Sequence, residues 1–223
     1  MFACRLACWI AFLPKYRRMY QSDPNKMIGP RDHALMGALA QMPRTRVAYD
    51  EEVVLSHGAV LPSGGALFLT THLPVNRVFL RYLAKSGRAV RVVTIASEIE
   101  VSNEAANLQA IYPDKTLFLK IRQALAAGEL IYLTIDVHAM KKARPLVLYD
   151  GFAETEPSTI WIQENAFVFA ERLPSIYSTV FLFTQISSRG RIEVQLLPAP
   201  KAANAAMDAF CDALQNFVLM QRR

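Results

Sequence analysis

Short apolar runs alternate with segments of helical spacing from residue 66 onward, and this alternation restricts the fold more than any other feature of the sequence. The apolar runs are four to eight residues long, which is typical of buried strands. We expect three such strands, at 66–71, 90–95 and 130–135. Two helices are predicted between them, at 74–85 and 116–127, and Gly128 is placed to end the second helix.

The same alternation continues to the end of the chain. The patterns predict strands at 145–149, 178–183 and 191–196, a turn at 187–190, and helices at 158–173 and 201–220. Strands separated by helices of this length predict an α/β fold with a mostly parallel mixed sheet and helices on both faces. We expect a single α/β domain over residues 31–223, preceded by an apolar and basic helix and a linker over residues 1–30.

Composition and charge limit the class of partner. The chain has 223 residues, of which 52% are hydrophobic, and this excludes a disordered protein. The formal net charge of +6 favours anionic partners such as phospholipid headgroups, nucleic acid or acidic carrier proteins, although many proteins carry such an excess without a partner. We expect no nucleic-acid partner, because no long Lys/Arg run with interleaved glycines or aromatic residues is present.

The N-terminal stretch is the segment whose composition could favour contact with a membrane. Residues 1–13 are apolar apart from Arg5, but a helix of that length is too short to cross a bilayer. The basic residues Lys15, Arg17 and Arg18 follow. An interfacial helix and an ordinary packing helix both fit this pattern. We therefore expect a cytoplasmic protein, with a peripheral position at the inner face of the membrane as one option.

Two strand ends carry residues suited to acid–base chemistry. The strand at 66–71 leads into His72, and the strand at 130–135 leads into Asp136. An imidazole at a strand end can take the proton of a hydroxyl, and a carboxylate nearby would orient the ring and stabilise its charged form. The alternatives are a capping or structural role for His72 and an N-cap role for Asp136. The catalytic interpretation requires the two strands to be neighbours.

The order of these motifs resembles a known family. The run 65–72 (GALFLTTH) resembles the first motif of the lysophospholipid acyltransferase-like superfamily, which is a glycine, an apolar strand, a histidine, four residues and an acid. The stretch 121–136 (IRQALAAGELIYLTID) is similar to the helix, glycine, strand and aspartate of the same superfamily. The helix at 162–173 and the strand at 178–183 follow in the order found in the bacterial lipid A late acyltransferase branch. The resemblance covers residues 65–198.

This resemblance implies an acyltransferase of lipid metabolism. The acyl chain would move from a thioester of coenzyme A or acyl carrier protein to a hydroxyl of a lipid-like acceptor, with His72 as general base. Arg77 stands where the family has its acid, and an arginine can neither accept the imidazole N–H nor stabilise an imidazolium. Three alternatives follow: a substitute acid such as Asp136, Glu98 or Glu100 takes its place, His72 works unaided at a reduced rate, or the protein has lost the chemistry.

Three more residues are candidates for substrate binding. Arg77 can bind a phosphate or carboxylate at the start of the helix that follows His72, or can simply face solvent. Asn76 precedes it. His138 begins a basic stretch that is either a solvated loop or a contact for headgroups or an acidic carrier protein. His33 and His57 are expected to be structural.

No resident metal or cofactor is expected. Cys4, Cys8 and Cys211 have no second Cys/His pair to complete a zinc site. No Walker or dinucleotide glycine pattern is present, and the absence of Gly-x-Ser-x-Gly disfavours a serine esterase. Two other functions remain open: a catalytically impaired relative that binds acyl chains or acyl carrier protein, which the loss of the acid at Arg77 favours, and a hydrolase with water as acceptor.

Overall fold

The computed structural model describes residues 53–56, 59–71, 76–94, 107–137, 143–148, 158–186 and 192–220. Its strands are β1 Val53–Leu55, β2 Ala66–Thr70, β3 Val90–Val93, β4 Leu108–Ile111, β5 Leu130–Thr134, β6 Asp136–Val137, β7 Ala143–Leu148, β8 Ser158–Gln163, β9 Ser178–Ile186 and β10 Ile192–Pro198. Its helices are α1 Asn76–Lys85, α2 Leu117–Ala126, α3 Glu164–Glu171 and α4 Ala203–Met220. The predicted N-terminal helix and linker and the predicted turn at 187–190 lie outside these residues.

Seven strands form the main sheet, in the order β1-β10-β9-β2-β5-β3-β4. Every neighbouring pair is parallel except β9 and β10, which are consecutive in the chain and antiparallel. The predicted α/β class with a mostly parallel mixed sheet is therefore confirmed. The central strand β2 is buried at every position, which agrees with its uninterrupted apolar sequence.

Alternate residues of the central strands pack into two separate hydrophobic clusters. Ala66 and Phe68 share one cluster with Phe79 and Leu83 of α1. Leu67 and Leu69 share the other with buried side chains of α2, α3 and α4, including Ile121, Phe167 and Phe210. Because successive residues of a strand point to opposite faces, α1 packs on one face of the sheet and the other three helices pack on the opposite face.

Close backbone contacts hold the amino ends of the strands together. A Cβ on Gly65 would lie 2.1 Å from the carbonyl oxygen of Leu125 at the end of α2, so only glycine allows the start of β2 to approach this helix. The guanidinium of Arg88 donates hydrogen bonds to the carbonyls of Pro62 and Gly64, and to that of Gly128 at 2.8 Å. Gly128 itself has a φ of +80°, a left-handed conformation that favours glycine at a helix end.

A second, antiparallel sheet with the order β6-β8-β7 adjoins the carboxyl end of β5. It corrects the expected helix at 158–173, because residues 158–163 are strand β8 and the helix α3 begins only at Glu164. The misassigned segment STIWIQ is rich in β-branched and aromatic residues, which fit a strand better than a helix. Leu146 and Ile162 of this sheet are buried in the cluster that contains α3.

The sequence patterns also missed three short strands, namely β1, β4 and β6. Each has four residues or fewer, which is too short to show a clear period of two. Within the described ranges, no helix combines the length and the apolar character that crossing a bilayer requires.

Candidate functional site

The strands that lead to His72 and Asp136 are direct neighbours in the sheet. β2 and β5 are parallel, and their last residues, Thr70 and Thr134, are paired. The backbone N–H of Ile135 donates to the carbonyl of Thr70 at 2.8 Å, so the pairing continues one residue beyond the strand. His72 and Asp136 each follow these paired residues by two positions. The juxtaposition of strand ends that the catalytic interpretation requires is thus present, while His72 itself lies outside the described residues.

Buried threonines surround this pair of strand ends. Thr70, Thr71 and Thr184 are the buried polar residues of the described part of the chain, with 0%, 5% and 0% of their surface exposed. The hydroxyl of Thr70 donates to the carbonyl of Leu182 on β9 at 2.7 Å. Since β9 runs parallel to β2, Thr184 also lies toward the carboxyl end of the sheet. Buried hydroxyl groups therefore lie at the carboxyl edge of the sheet, whereas the other buried positions of the sheet are occupied by hydrophobic residues.

Asp136 is half-buried and begins strand β6. It pairs with Ile162 of β8, and the backbone N–H of the adjacent Gln163 donates to the carbonyl of Ile135 at 2.8 Å. These contacts fix the backbone on both sides of Asp136. The alternative interpretation as a helix N-cap is wrong, because Asp136 and Val137 both belong to strand β6.

Asn76 and Arg77 form the first turn of α1, the helix that returns from the carboxyl end of β2. Their backbone is therefore on the same edge of the sheet as the ends of β2 and β5. Their side chains lie outside the described structure. Five further candidate residues lie entirely outside the described structure, and their predicted roles stay predictions: His33, His57, Glu98, Glu100 and His138.

From the sequence, Thr70 and Thr71 are predicted only as strand residues, and Thr184 is not among the candidate site residues. The signal available was a polar residue at the end of an otherwise apolar strand, in ALFLTT and in STVFLFT. A buried hydroxyl needs a hydrogen-bond partner, which a threonine at this position can find among the backbone carbonyls of the next strand.

Among the described groups with clearly shifted pKa values, Asp114 lies in the turn before α2, Cys211 lies in α4, and Arg144 lies on β7, where it forms an ion pair with Asp208 of α4. The ammonium of Lys120 and the hydroxyl of Thr116 donate to the Asp114 carboxylate and lower its pKa to about 2. Burial raises the pKa of the Cys211 thiol in α4. Among the described residues no cluster of three His, Cys, Asp or Glu side chains is arranged to hold a metal ion.

No protein-family model matches the chain, and no curated protein does either.

Proposed function

We propose that this protein transfers an acyl chain from a thioester of coenzyme A or acyl carrier protein to a hydroxyl of a lipid-like acceptor. The observation that carries the proposal is the parallel pairing of Thr70 with Thr134, which brings the chain entering His72 beside the chain entering Asp136. The acyltransferase-like character of the α/β fold is part of the same proposal, and it rests on the motifs GALFLTTH and IRQALAAGELIYLTID.

In the proposed reaction His72 accepts the proton of the acceptor hydroxyl as the oxygen attacks the thioester carbonyl. The C–S bond of the resulting tetrahedral intermediate then breaks, and the departing sulfur takes the proton back from the imidazolium. An uncharged imidazole is needed for the first step, so the rate rises with pH through the histidine pKa, near 6.5 in the absence of perturbation.

Asp136 supplies the carboxylate that the sequence lacks at Arg77. Neighbouring parallel strands are about 4.8 Å apart, so residues at equivalent positions beyond paired strand ends are within reach of one another. The carboxylate orients the imidazole and stabilises its charged form, a role that contributes up to about 10⁴-fold to the rate of a histidine-dependent acyl transfer. Arg77 and Asn76 at the start of α1 bind the phosphate or other anionic group of a substrate, and His138 contacts the same ligand.

The reaction takes place in the cytoplasm or peripherally at the inner face of the membrane, where a basic protein meets anionic headgroups. The test is thiol release from acyl-coenzyme A and acyl-carrier-protein thioesters, with and without added lipid acceptor. We expect release by the wild type and its loss in His72→Ala, with His57→Ala as the matched control that keeps activity.

Acyl transfer would be contradicted if neither the wild type nor His72→Ala released thiol from any donor. That result would favour the second candidate, a relative that binds acyl chains or acyl carrier protein without turnover. The observation behind this candidate is Arg77 at the place of the acid. A gain of thiol release in Arg77→Asp would show instead that the arginine weakens a working site.

A further inference from the structure

A groove of about 770 Å³ lies between α2 and α3, on the outer side of the helical layer. Its lining includes the aromatic and aliphatic side chains Phe118, Leu119, Val168 and Phe169. The ring of Phe118 stacks on that of Phe169 with centroids 4.5 Å apart, which joins the two helices at the base of the groove. Cavities of about 300–1,000 Å³ with apolar walls and a few polar groups are the usual size and composition of small-molecule sites.

Large apolar side chains in this groove are open to water. Phe118 is 42% exposed, Leu119 56% and Val168 37%. These are three of the seven large hydrophobic residues that are exposed in the described part of the chain, and they line one continuous surface. A ligand with an aliphatic chain would remove this surface from water, which is favourable in proportion to the area covered.

The charged residues of the groove are separated along its length. Arg122 follows Phe118 by four positions and Arg172 follows Val168 by four, so each arginine is on the same helix face as an apolar residue, one turn further on. Both helices run from the carboxyl edge of the sheet toward its amino edge, because α2 connects two parallel strands and α3 begins beside Ile135. The two arginines therefore mark the end of the groove that points toward the amino edge.

Glu164 lies at the opposite end, in the first turn of α3. Within the described structure, neither Arg122 nor Arg172 forms an ion pair. An anionic head is consequently attracted to the arginine end and repelled from the Glu164 end. Arg172 follows Glu164 by eight positions, which corresponds to about 12 Å along the helix and sets the length available to the apolar part of a ligand.

We propose that this groove binds a single molecule of a medium-chain carboxylate, with its head between Arg122 and Arg172 and its chain along Phe118, Leu119 and Val168. A planar guanidinium binds a carboxylate through two parallel hydrogen bonds, which suits arginine better than lysine at this position. The carboxylate head is held at the end of the groove remote from the strand ends that lead to His72 and Asp136. The proposal is thus independent of acyl transfer and adds a second, non-catalytic ligand site.

The test is calorimetric titration of the full chain with laurate below its critical micelle concentration. We expect the wild type to bind laurate saturably and one-to-one. The double variant Arg122→Gln/Arg172→Gln should bind laurate at least tenfold more weakly. The wild type should bind dodecanol, which keeps the chain but lacks the charge, at least tenfold more weakly than laurate. Val168→Asp places a carboxylate in the wall of the groove and should abolish binding. Its position is partly exposed, and thermal unfolding of each variant verifies that the fold is intact.

Two controls locate the site. Lys85→Gln removes one positive charge on α1, on the other face of the sheet, and should bind laurate as the wild type does. His72→Ala should also bind normally, whereas its loss of binding would place the ligand at the strand ends and overturn the proposal. The proposal would also be overturned if the wild type and the double arginine variant bound laurate equally. It would be overturned as well if the wild type and the double variant bound only anionic phospholipid vesicles and not laurate.

Discussion

Thr70 and Thr134 are paired at the carboxyl ends of β2 and β5, and the hydrogen bond from the Ile135 N–H to the Thr70 carbonyl holds the two chains together just beyond the strands. The backbone that leads to His72 and the backbone that leads to Asp136 therefore leave the sheet side by side. In the proposed acyl transfer, this arrangement would let a histidine and a carboxylate from different parts of the sequence act together.

Replacement of Asp136 by asparagine should reduce acyl transfer by about 10²–10⁴-fold, because an amide cannot stabilise an imidazolium. The free energy of unfolding should change little, since Asp136 is only half-buried and its backbone pairing with Ile162 is retained. Thiol release and chemical unfolding of the same preparations separate the two effects. Asp212→Asn on the exposed side of α4 is the control, and an unchanged rate in Asp136→Asn would assign the orienting role to another acid.

Replacement of Thr70 by valine keeps the shape of the side chain but removes the hydroxyl that donates to Leu182. Because Thr70 is completely buried, water cannot replace the lost donor, and we expect a loss of about 1–2 kcal/mol in the free energy of unfolding. Urea denaturation monitored by circular dichroism measures it. Thr179→Val on β9, which is partly exposed, should cost less, and equal costs at the two positions would argue against a specific role of the Thr70 bond.

Replacement of Gly65 by alanine should destabilise the protein by about 1–3 kcal/mol or prevent folding, because the new methyl group would overlap the Leu125 carbonyl. The matched control is Gly64→Ala, since a Cβ at Gly64 meets no atom within 4 Å. Thermal unfolding of the two variants provides the comparison. Similar melting temperatures would contradict the close approach of β2 to α2.

The Asp114 carboxylate should make a pH-dependent contribution to stability. Its pKa is lowered from 3.8 to about 2 by the hydrogen bond from Lys120 and those from Thr116, so the stabilisation is complete above the unfolded pKa and is lost as the pH falls toward the folded value. The stability difference between wild type and Asp114→Asn should therefore be larger at about pH 5.5 than at about pH 3.

Urea titrations at the two pH values, with Glu171→Gln as control, measure this difference for Asp114. The site is fully exposed, so the effect should also shrink at high salt. A difference that stays constant between the two pH values would rule out the proposed linkage.

Much of the sheet followed from sequence patterns because its strands are buried on both faces. ALFLT and LIYLT are continuous runs of apolar and β-branched residues, VRVV is interrupted only by Arg91, and the glycine at 128 marks the helix end before LIYLT. The interval 158–163 was misassigned because Trp161 continues the helical spacing of Ala166, Phe169 and Ala170. Pairing with β7 outweighs that spacing, and pairing partners cannot be read from one segment alone.

The candidate site could be predicted only in part, for a related reason. The sequence predicted the two strand ends that lead to His72 and Asp136. Their adjacency depends on the order of strands in the sheet, which places β5 next to β2. In the chain, 59 residues and two other strands separate Thr70 from the start of β5. The hydrogen bond of the Thr70 hydroxyl and the burial of Thr184 both depend on the position of β9, which is more distant still in the sequence. Non-local contacts of this kind are not encoded in local spacing.

Among the described strands of the main sheet, the outermost two, β1 and β4, have only three and four residues. A strand at the edge of a sheet exposes unpaired N–H and C=O groups that can serve as a template for another chain. Short edges offer few such groups, whereas the longest strand, β9, is enclosed between β2 and β10. The arrangement places STVFLFTQI, an uncharged run of β-branched and aromatic residues, inside the described sheet, where its backbone groups are paired and do not offer a template to another chain.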